Sequence, residues 1–312
     1  MTVNHFLGSL DFLPEEYNTI FSLASRIIDS PMDYADRCSG RLMATLFYEP
    51  STRTRLSFEA AMLRLGGGVI SVANAKSSSV SKGESLGDTI RTVGGYADLI
   101  VLRHPKEGAA VLAGEYSPVP VINGGDGARE HPTQTLTDLF TIQRFKGRFD
   151  GLTVAFCGDL RYGRTVHSLV KVLARYSDVR FILISPPELR LPDRIKREVK
   201  GINPAAVLEE TTQMEEGLKS ADILYMTRIQ KERFFNEEDY IKLRDTYILT
   251  ADKLSVAPSG MIVMHPLPRV TEIDYAVDAD PRAVYFDQAR FGMFARMALI
   301  LHLLAEKEGG DA

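Results

Sequence analysis

Hydroxyl and guanidinium side chains crowd the start of one predicted helix, in the stretch FYEPSTRTRLSFEAAM. Pro50 disfavours helix for the residue before it, and the residue after it, Ser51, is a favourable N-cap. The first turn then holds Thr52, Arg53 and Thr54. A helix start presents free backbone N–H groups and the positive end of the helix dipole, so the stretch predicts a phosphate site. Taken alone, it is equally compatible with a capped helix whose arginines are solvated.

Two further stretches in the first half supply hydrogen-bond donors. Arg103 ends the strand-like run ADLIVLR, and open parallel sheets place their ligand crevices at such strand ends. His131 precedes Pro132 at the start of another predicted helix, and Gln134 lies in the first turn of that helix. A histidine beside a helix start is biased towards its neutral form, so His131 could donate a hydrogen bond to a carbonyl oxygen. A purely structural histidine is the alternative.

Arginines also follow two strand-like runs in the second half. Arg164 closes the turn in FCGDLRYGRT, and Arg228 and Gln230 follow the run ADILYM. The planar guanidinium fork binds carboxylates through two parallel hydrogen bonds, so two such strand ends predict a ligand with two anionic groups, best a dicarboxylate. The alternative is a pair of surface arginines neutralised by Asp159 or Glu232.

Prolines and glycines mark two further turns in the second half of the chain. In MHPLPR, Pro266 and Pro268 flank Leu267, and such a stiffened turn can aim backbone carbonyls at a substrate amide or ammonium. Gly158 and Gly163 border a turn between a strand and a helix, but they do not form the G-x-G-x-x-G pattern. A dinucleotide site is therefore only weakly indicated.

Short apolar runs alternate with helical patterns along the whole chain, which is typical of crossover units on parallel sheets. We predict an α/β protein with two doubly wound parallel-sheet domains, residues 1–145 and 146–289. A final helix at about residues 290–308 is apolar on more than one face, so we expect it to pack back on the first domain. The strand-like runs of the second domain are LTVAFCG, VRFILISP, ADILYMTR, TYILT, MIVMHPLP and AVYFDQ.

Composition narrows the class of protein. The 312 residues are 45% hydrophobic with a formal net charge of -4, which argues against a general nucleic-acid or anionic-membrane surface. No leader pattern and no run of about 18 to 20 apolar residues is present, so we expect a cytoplasmic protein. Cys38 and Cys157 are far apart and are interpreted as reduced thiols. The polar stretch 76–85 predicts a mobile loop.

Taken in order, seven motifs give the chain a resemblance that covers nearly its whole length: STRTR, SKGES, LRHP, HPTQ, GRTVHS, TRIQKER and HPLPR. The chain resembles the aspartate carbamoyltransferase (aspartate transcarbamylase) family, specifically its catalytic chain. The resemblance implies the two-domain carbamoyltransferase fold and transfer of the carbamoyl group of carbamoyl phosphate to the amine of L-aspartate. The products would be N-carbamoyl-L-aspartate and phosphate, in de novo pyrimidine biosynthesis on the route to UMP. The resemblance implies neither a cofactor nor a metal.

The resemblance also implies a role for individual residues. The carbamoyl phosphate site would consist of Ser51, Thr52, Arg53, Thr54, Ser78, Lys82, Arg103, His131, Gln134, Pro266 and Leu267. The aspartate site would consist of Lys82, Arg164, Arg228, Gln230 and Leu267. The catalytic residues among them would be Arg53, Thr54, Lys82, Arg103 and His131. The amine proton would pass to the departing phosphate, with His131 as the less favoured acceptor.

The resemblance also has implications for assembly and for domain closure. The resemblance implies a homotrimer in which the loop carrying Ser78 and Lys82 reaches a neighbouring subunit's site. Glu49 would bridge Arg164 and Arg233 when the domains close. A regulatory chain or a pathway-enzyme partner stays open, and the sequence assigns no role to Arg290 and Phe291.

Three classes of rival function remain at this point. An ornithine carbamoyltransferase would share STRTR, but its pattern carries cysteines where this chain has Thr133 and Pro266. Another amine acceptor belongs to the same class. A nucleotide-dependent oxidoreductase would fit the doubly wound halves but lacks its glycine fingerprint, and a non-catalytic anion-binding protein would leave so many convergent donors unexplained.

Overall fold

The computed structural model describes residues 4–73, 83–229 and 247–305. These residues form two units. The first unit comprises the described residues up to Phe140 and from Arg290 onward, and the second runs from Thr141 to Ala289. The chain therefore passes from the first unit to the second and later returns to the first.

The first unit is built on a four-stranded parallel sheet with the strand order β2-β1-β3-β4. Its strands are β1 (Leu42–Phe47), β2 (Gly68–Val72), β3 (Leu99–His104) and β4 (Val121–Asp126). The helices that precede or connect them are α1 (Pro14–Asp29), α2 (Thr52–Arg64), α3 (Leu86–Gly94) and α4 (Ala109–Tyr116), and α5 (Pro132–Lys146) follows the last strand. Strand β4 is buried throughout, as expected for a parallel strand covered on both faces.

The second unit contains a five-stranded parallel sheet with the order β7-β6-β5-β8-β9. Its strands are β5 (Thr153–Cys157), β6 (Arg180–Ile184), β7 (Val207–Thr211), β8 (Ile223–Met226) and β9 (Ile262–Met264). The helices are α6 (Arg164–Leu173), α7 (Asp193–Ile202), α8 (Met214–Leu218) and α9 (Ala251–Leu254), followed by α10 (Tyr285–Ala305). Both sheets are parallel and flanked by helices, which confirms the predicted fold class.

Each sheet changes its direction of growth beside its first strand. In the first unit β2 pairs with one edge of β1 and β3 with the other, and in the second unit β6 and β8 do the same around β5. The loops that leave two such neighbouring strands diverge and open a crevice at the carboxyl ends of the strands. The fold therefore predicts one crevice per unit, at β1/β3 and at β5/β8.

The apolar side chains of helix α10 are largely buried. Leu299, Ile300 and Leu303 are all buried. The ring of Phe291, to which the sequence assigned no role, packs edge-on against Phe140 with the ring centres 5.8 Å apart. The chain returns to the first unit as a core helix of that unit.

Two of the predicted strands are wrong. In the described part of the run TYILT, residues 247–250, only Leu249 makes a bridge, with Ile273, and these four residues form no strand. In the run AVYFDQ only Ala283 makes a bridge, with Val263, and α10 already begins at Tyr285. Apolar runs this short do not distinguish a strand from a buried helix start, because periodicity needs more residues.

Cys38 and Cys157 are buried free thiols. Desolvation raises the pKa of Cys38 to about 11, with the nearby Arg41 charge opposing the shift. Desolvation raises the pKa of Cys157 further. Because the thiolate is the reactive form, we expect neither cysteine to react with Ellman's reagent in the native protein at pH 8. Both should react once guanidinium chloride unfolds the chain. Rapid labelling of one thiol in the native protein would contradict this.

Along the described stretches of the chain, no helix combines the length and apolar character needed to cross a bilayer.

Candidate active site

The start of α2 presents a row of donors at the carboxyl end of β1. Ser51 is the N-cap residue, with extended backbone at φ -159 and ψ 95, and its side chain makes no capping hydrogen bond. Thr52 and Arg53 are exposed and Thr54 is buried. Partial desolvation lowers the pKa of the Arg53 guanidinium, which remains a cation. The backbone N–H groups, the helix dipole and these side chains together suit an anion.

Arg103 lies on the neighbouring strand, across from the end of β1. Its Cα pairs with that of Phe47, and its side chain is buried. The guanidinium donates from one terminal nitrogen to the carbonyl of Gly124 at 3.1 Å and from the other to Oε1 of Glu49 at 3.1 Å. Its Nε has no hydrogen-bond partner among the described residues. The Glu49 contact was not predicted from the sequence.

His131 joins the same cluster from the start of α5. Its Nε2 lies 3.3 Å from a terminal nitrogen of Arg103 and 3.5 Å from Oγ1 of Thr54, and its Nδ1 lies 3.4 Å from Oγ1 of Thr133. Arginine can only donate, so this geometry assigns the acceptor role to Nε2 and the ring proton to Nδ1. The sequence predicted that His131 donates a hydrogen bond to a carbonyl oxygen. Donation from Nε2 would require the other neutral tautomer. Thr54, Arg103 and His131 are thus neighbours, although 77 residues separate the first and the last.

The loop that carries His131 is held by buried acids that the sequence analysis missed. Asp126 accepts from the side-chain amide of Asn123 at 3.1 Å and from the backbone N–H of Gly108 at 3.0 Å. Glu130 accepts from both the backbone N–H and the hydroxyl of Ser9. The acids in the glycine-rich stretch GGDGARE were the available signal. These bonds fix the approach to α5 and hence the position of His131.

In the second unit Arg164 and Arg228 follow neighbouring strands. Arg164 is the first residue of α6, after β5, and Arg228 lies two residues beyond the end of β8. Both side chains are half-buried. Gly158 has φ +115, and a Cβ there would lie 2.3 Å from the carbonyl oxygen of Thr227, so only glycine allows the two strand ends to approach this closely. The two arginines therefore follow the two strands that border the crevice predicted at β5/β8.

The turn before Arg164 is held by a histidine without a predicted role. His167 is buried, and its Nε2 lies 2.8 Å from the carbonyl oxygen of Leu160, to which it donates. Desolvation lowers the pKa of His167, with the hydrogen bond to Leu160 opposing the shift, so the ring is neutral. Thr227 adds a second tie, because its Oγ1 donates to the carbonyl of Cys157 at 3.0 Å.

Pro266 and Leu267 follow β9, the strand next to β8. Leu267 has φ +41, an unfavourable value for a residue with a side chain, and a cis peptide bond joins it to Pro268. The N–H of Leu267 donates to Nδ1 of His265 at 2.8 Å, and Nε2 of His265 lies 2.8 Å from Oε1 of Glu272. This chain of hydrogen bonds holds the turn in its strained conformation.

Glu272 is a buried acid that keeps its charge. Desolvation alone would raise the pKa of this carboxyl, but the hydrogen bond from His265, together with backbone N–H groups, lowers it below its ordinary value. Its second oxygen accepts from the N–H groups of Val270 and Thr271, both at 3.0 Å. No motif in the sequence singles out Glu272 or His265 for a positioning role.

Four predicted site residues lie outside the described residues: Ser78, Lys82, Gln230 and Arg233. Gln134 lies in the first turn of α5, where its side chain bonds to Asp138. Over the ranges that the structure describes, no group of three or more His, Cys, Asp or Glu side chains is placed to hold a metal ion.

Two family models match the sequence. One is the aspartate/ornithine carbamoyltransferase carbamoyl-P binding domain, over residues 4–144. The other is the aspartate/ornithine carbamoyltransferase Asp/Orn binding domain, over residues 150–303.

Two similar curated proteins have the same name. The aspartate carbamoyltransferase catalytic subunit of Clostridium perfringens is 58% identical over 302 residues, which is 97% of this chain and 98% of that protein. The corresponding subunit of Clostridium botulinum is 56% identical over 300 residues, covering 96% of this chain and 97% of that protein.

Solved structures agree over the same length. The catalytic subunit of M. jannaschii aspartate transcarbamoylase matches with a TM-score of 0.91 and 49% identity, covering 99% of this chain and all of that one. Aspartate transcarbamoylase from Trypanosoma cruzi, solved in complex with carbamoyl phosphate and aspartate, matches with a TM-score of 0.89 and 39% identity, covering 96% of each chain.

Proposed function

The chain belongs to the aspartate/ornithine carbamoyltransferase family, and from this premise we propose that it transfers the carbamoyl group of carbamoyl phosphate to the amine of L-aspartate. The products are N-carbamoyl-L-aspartate and phosphate. The observation that carries the proposal is the cluster of Thr54, Arg103 and His131 beside the start of α2. It offers cationic and polar groups for a phosphate and for the adjoining carbonyl oxygen.

The chemistry of carbamoyl phosphate determines what the enzyme must supply. Its acyl group is already activated, so the reaction needs placement, stabilisation of the developing oxyanion and neutralisation of the leaving phosphate. Ser51, Thr52, Arg53 and Thr54 would bind the phosphate at the positive end of α2, and Arg103 would bind both the phosphate and the carbonyl oxygen. Phosphate then leaves as a dianion whose charge these groups offset.

Aspartate is the proposed acceptor because arginines follow two neighbouring strands of the second unit, while the acid after β5, Asp159, is fully buried and accepts from the backbone N–H of Tyr162. Arg164 and Arg228 follow the two strands that border the crevice predicted at β5/β8, where each can bind a carboxylate through paired hydrogen bonds. Thr133 and Pro266 stand where the ornithine-specific pattern carries cysteines. Relatives named aspartate carbamoyltransferase also support aspartate.

The amine of aspartate attacks the carbonyl carbon to form a tetrahedral intermediate. The C–N bond forms, the C–O bond to phosphate breaks, and one amine proton is lost. The departing phosphate is the proposed proton acceptor, because His131 in the described geometry directs Nε2 at a cation. His131 remains the less favoured acceptor.

Further parts of the proposal rest on the family alone. Ser78, Lys82 and Gln230 would complete the sites, and the chain would assemble as a cytoplasmic homotrimer that shares those sites between subunits. Glu49 and Arg233 would support domain closure. The reaction would serve de novo pyrimidine biosynthesis.

The purified chain tests the proposal directly. Phosphate release and product mass are measured with carbamoyl phosphate and either L-aspartate or L-ornithine. We expect turnover and carbamoylaspartate with aspartate, and no product with ornithine. Carbamoylornithine as the main product, or no product with either amine, would overturn the proposal. Native mass spectrometry of the same preparation tests the trimer.

A further inference from the structure

The side chain of Gln134 has a defined orientation. One of its terminal atoms lies 2.8 Å from Oδ1 of Asp138, one turn further along α5. A carboxylate only accepts hydrogen bonds, so the atom facing it must be the amide nitrogen of Gln134. The amide oxygen of Gln134 is therefore directed to a different partner, as an acceptor.

Asp138 interacts electrostatically with a buried cation, Arg296. Asp138 is fully buried, and the charge of Asp138 attracts the guanidinium of Arg296, which is 4% exposed. Desolvation lowers the pKa of Arg296 to about 10, with the Asp138 charge acting in the opposite direction, so Arg296 stays protonated near neutral pH. A buried carboxylate without such a charge would be unfavourable, and a protonated one could donate to Gln134 instead.

Arg296 is itself fixed from two sides. It donates to the hydroxyl of Ser57 at 3.1 Å and lies 5.1 Å from the ring centre of Phe58, both on α2. At Gly292, on the same helix as Arg296, a Cβ would lie 2.7 Å from Arg296 and 2.8 Å from the hydroxyl of Thr137 on α5. The guanidinium of Arg296 thus connects α10 with α2, and Gly292 brings α10 close to α5. The first turns of α2 and α5 carry predicted carbamoyl phosphate residues.

We propose that Asp138 is a positioning residue that turns the amide oxygen of Gln134 towards the NH2 group of carbamoyl phosphate. The inference rests on the proposed function and on the role that the resemblance implies for Gln134, which is to hold the amide group of carbamoyl phosphate. An amide NH2 donates a hydrogen bond to the Gln134 oxygen, whereas the methyl group of acetyl phosphate cannot. The pair therefore selects a carbamoyl over an acetyl group by leaving a polar atom unpaired with the wrong ligand.

The substitution Asp138→Asn tests this at nearly constant shape. Asparagine can donate to the Gln134 oxygen, which allows the Gln134 amide to turn over and to face the carbamoyl NH2 with its own N–H groups. We expect the dissociation constant for carbamoyl phosphate to rise about 10- to 100-fold and that for acetyl phosphate to change less than about 2-fold. Isothermal titration calorimetry with each phosphate measures the ratio. With carbamoyl phosphate saturating, the KM for aspartate should not change.

A second variant separates positioning from folding. Asp138→Asn leaves the Arg296 charge unpaired, so the double variant with Arg296→Met removes both charges and restores stability while keeping the loss of discrimination. Ser57→Ala is the matched control, because it removes a hydrogen bond of Arg296 without touching Asp138 or Gln134. It should leave the carbamoyl-to-acetyl ratio at the wild-type value.

The outcomes are distinct. Failure of the wild-type chain to make carbamoylaspartate sinks the proposed function, while the binding ratio still decides the inference. A wild-type protein that binds both phosphates equally, or a folded Asp138→Asn or double variant that keeps the wild-type ratio, overturns the inference.

Discussion

Replacing Arg53 with alanine is expected to lower turnover by about 10²- to 10³-fold, the loss usually seen when one well-placed donor to a developing anion is removed. Arg53 projects from the first turn of α2 and is exposed. Its removal should leave the free energy of unfolding within about 0.5 kcal/mol of the wild-type value. Steady-state rates with both substrates varied, together with denaturant unfolding, measure the two quantities.

Arg55→Ala provides the matched control. Arg55 lies two residues further along the same helix, with its Nε 3.7 Å from Oε1 of Glu59. The two side chains are half-buried and lie one helical turn apart, and such pairs contribute about 0.3–0.5 kcal/mol, so the loss of Arg55 should leave turnover unchanged and lower the free energy of unfolding by less than about 1 kcal/mol. Near-normal turnover in Arg53→Ala, or an equal loss in Arg55→Ala, would show that specific phosphate recognition at the start of α2 is not the source of activity.

Replacing Arg228 with alanine should act on the other substrate. If Arg228 binds a carboxylate of aspartate through two charge-assisted hydrogen bonds, its loss should reduce kcat/KM for aspartate about 10²-fold, with carbamoyl phosphate binding unchanged. Arg228→Lys keeps the charge but lacks the planar fork, so it should recover only part of the loss. Initial rates over a range of aspartate concentrations, and calorimetry with carbamoyl phosphate, distinguish the two substrates.

Arg161→Ala is the control in this unit. Arg161 is exposed, donates to the carbonyl of Glu188 at 3.2 Å and lies 5.3 Å from the ring centre of Tyr162. Its removal tests whether loss of positive charge near the crevice suffices to weaken aspartate binding. Equal losses in Arg161→Ala and Arg228→Ala would indicate general electrostatic attraction rather than a specific contact.

The framework of the site was predictable because strand ends are visible in the sequence. Arg103, Arg164 and Arg228 each follow a short apolar run, and in parallel sheets such positions share one edge. Helix starts are also local signals, so Ser51 and Pro132 marked the beginnings of α2 and α5. Local sequence patterns are therefore enough to predict a site residue that directly follows a strand or begins a helix.

The supporting contacts were not predictable, because they join residues far apart in sequence. Glu49 with Arg103 and Ser57 with Arg296 follow no periodicity, and each acid or hydroxyl has many cationic residues to choose from. The His265 side chain and the Leu267 backbone are close in sequence, but their hydrogen bond depends on a positive φ that only the folded turn reveals. Tertiary packing decides such pairs.

The return of α10 to the first unit sets an order for synthesis on the ribosome. Arg296, Leu299 and Leu303 complete a core that includes α2, and Ser57 of α2 is translated 239 residues before its partner Arg296. Until α10 emerges, the nascent amino-terminal half exposes the apolar surface that this helix covers. The second unit, by contrast, has all its strands before α10 is made. We therefore expect chaperones to bind the amino-terminal half during translation. The second unit is the part able to fold first.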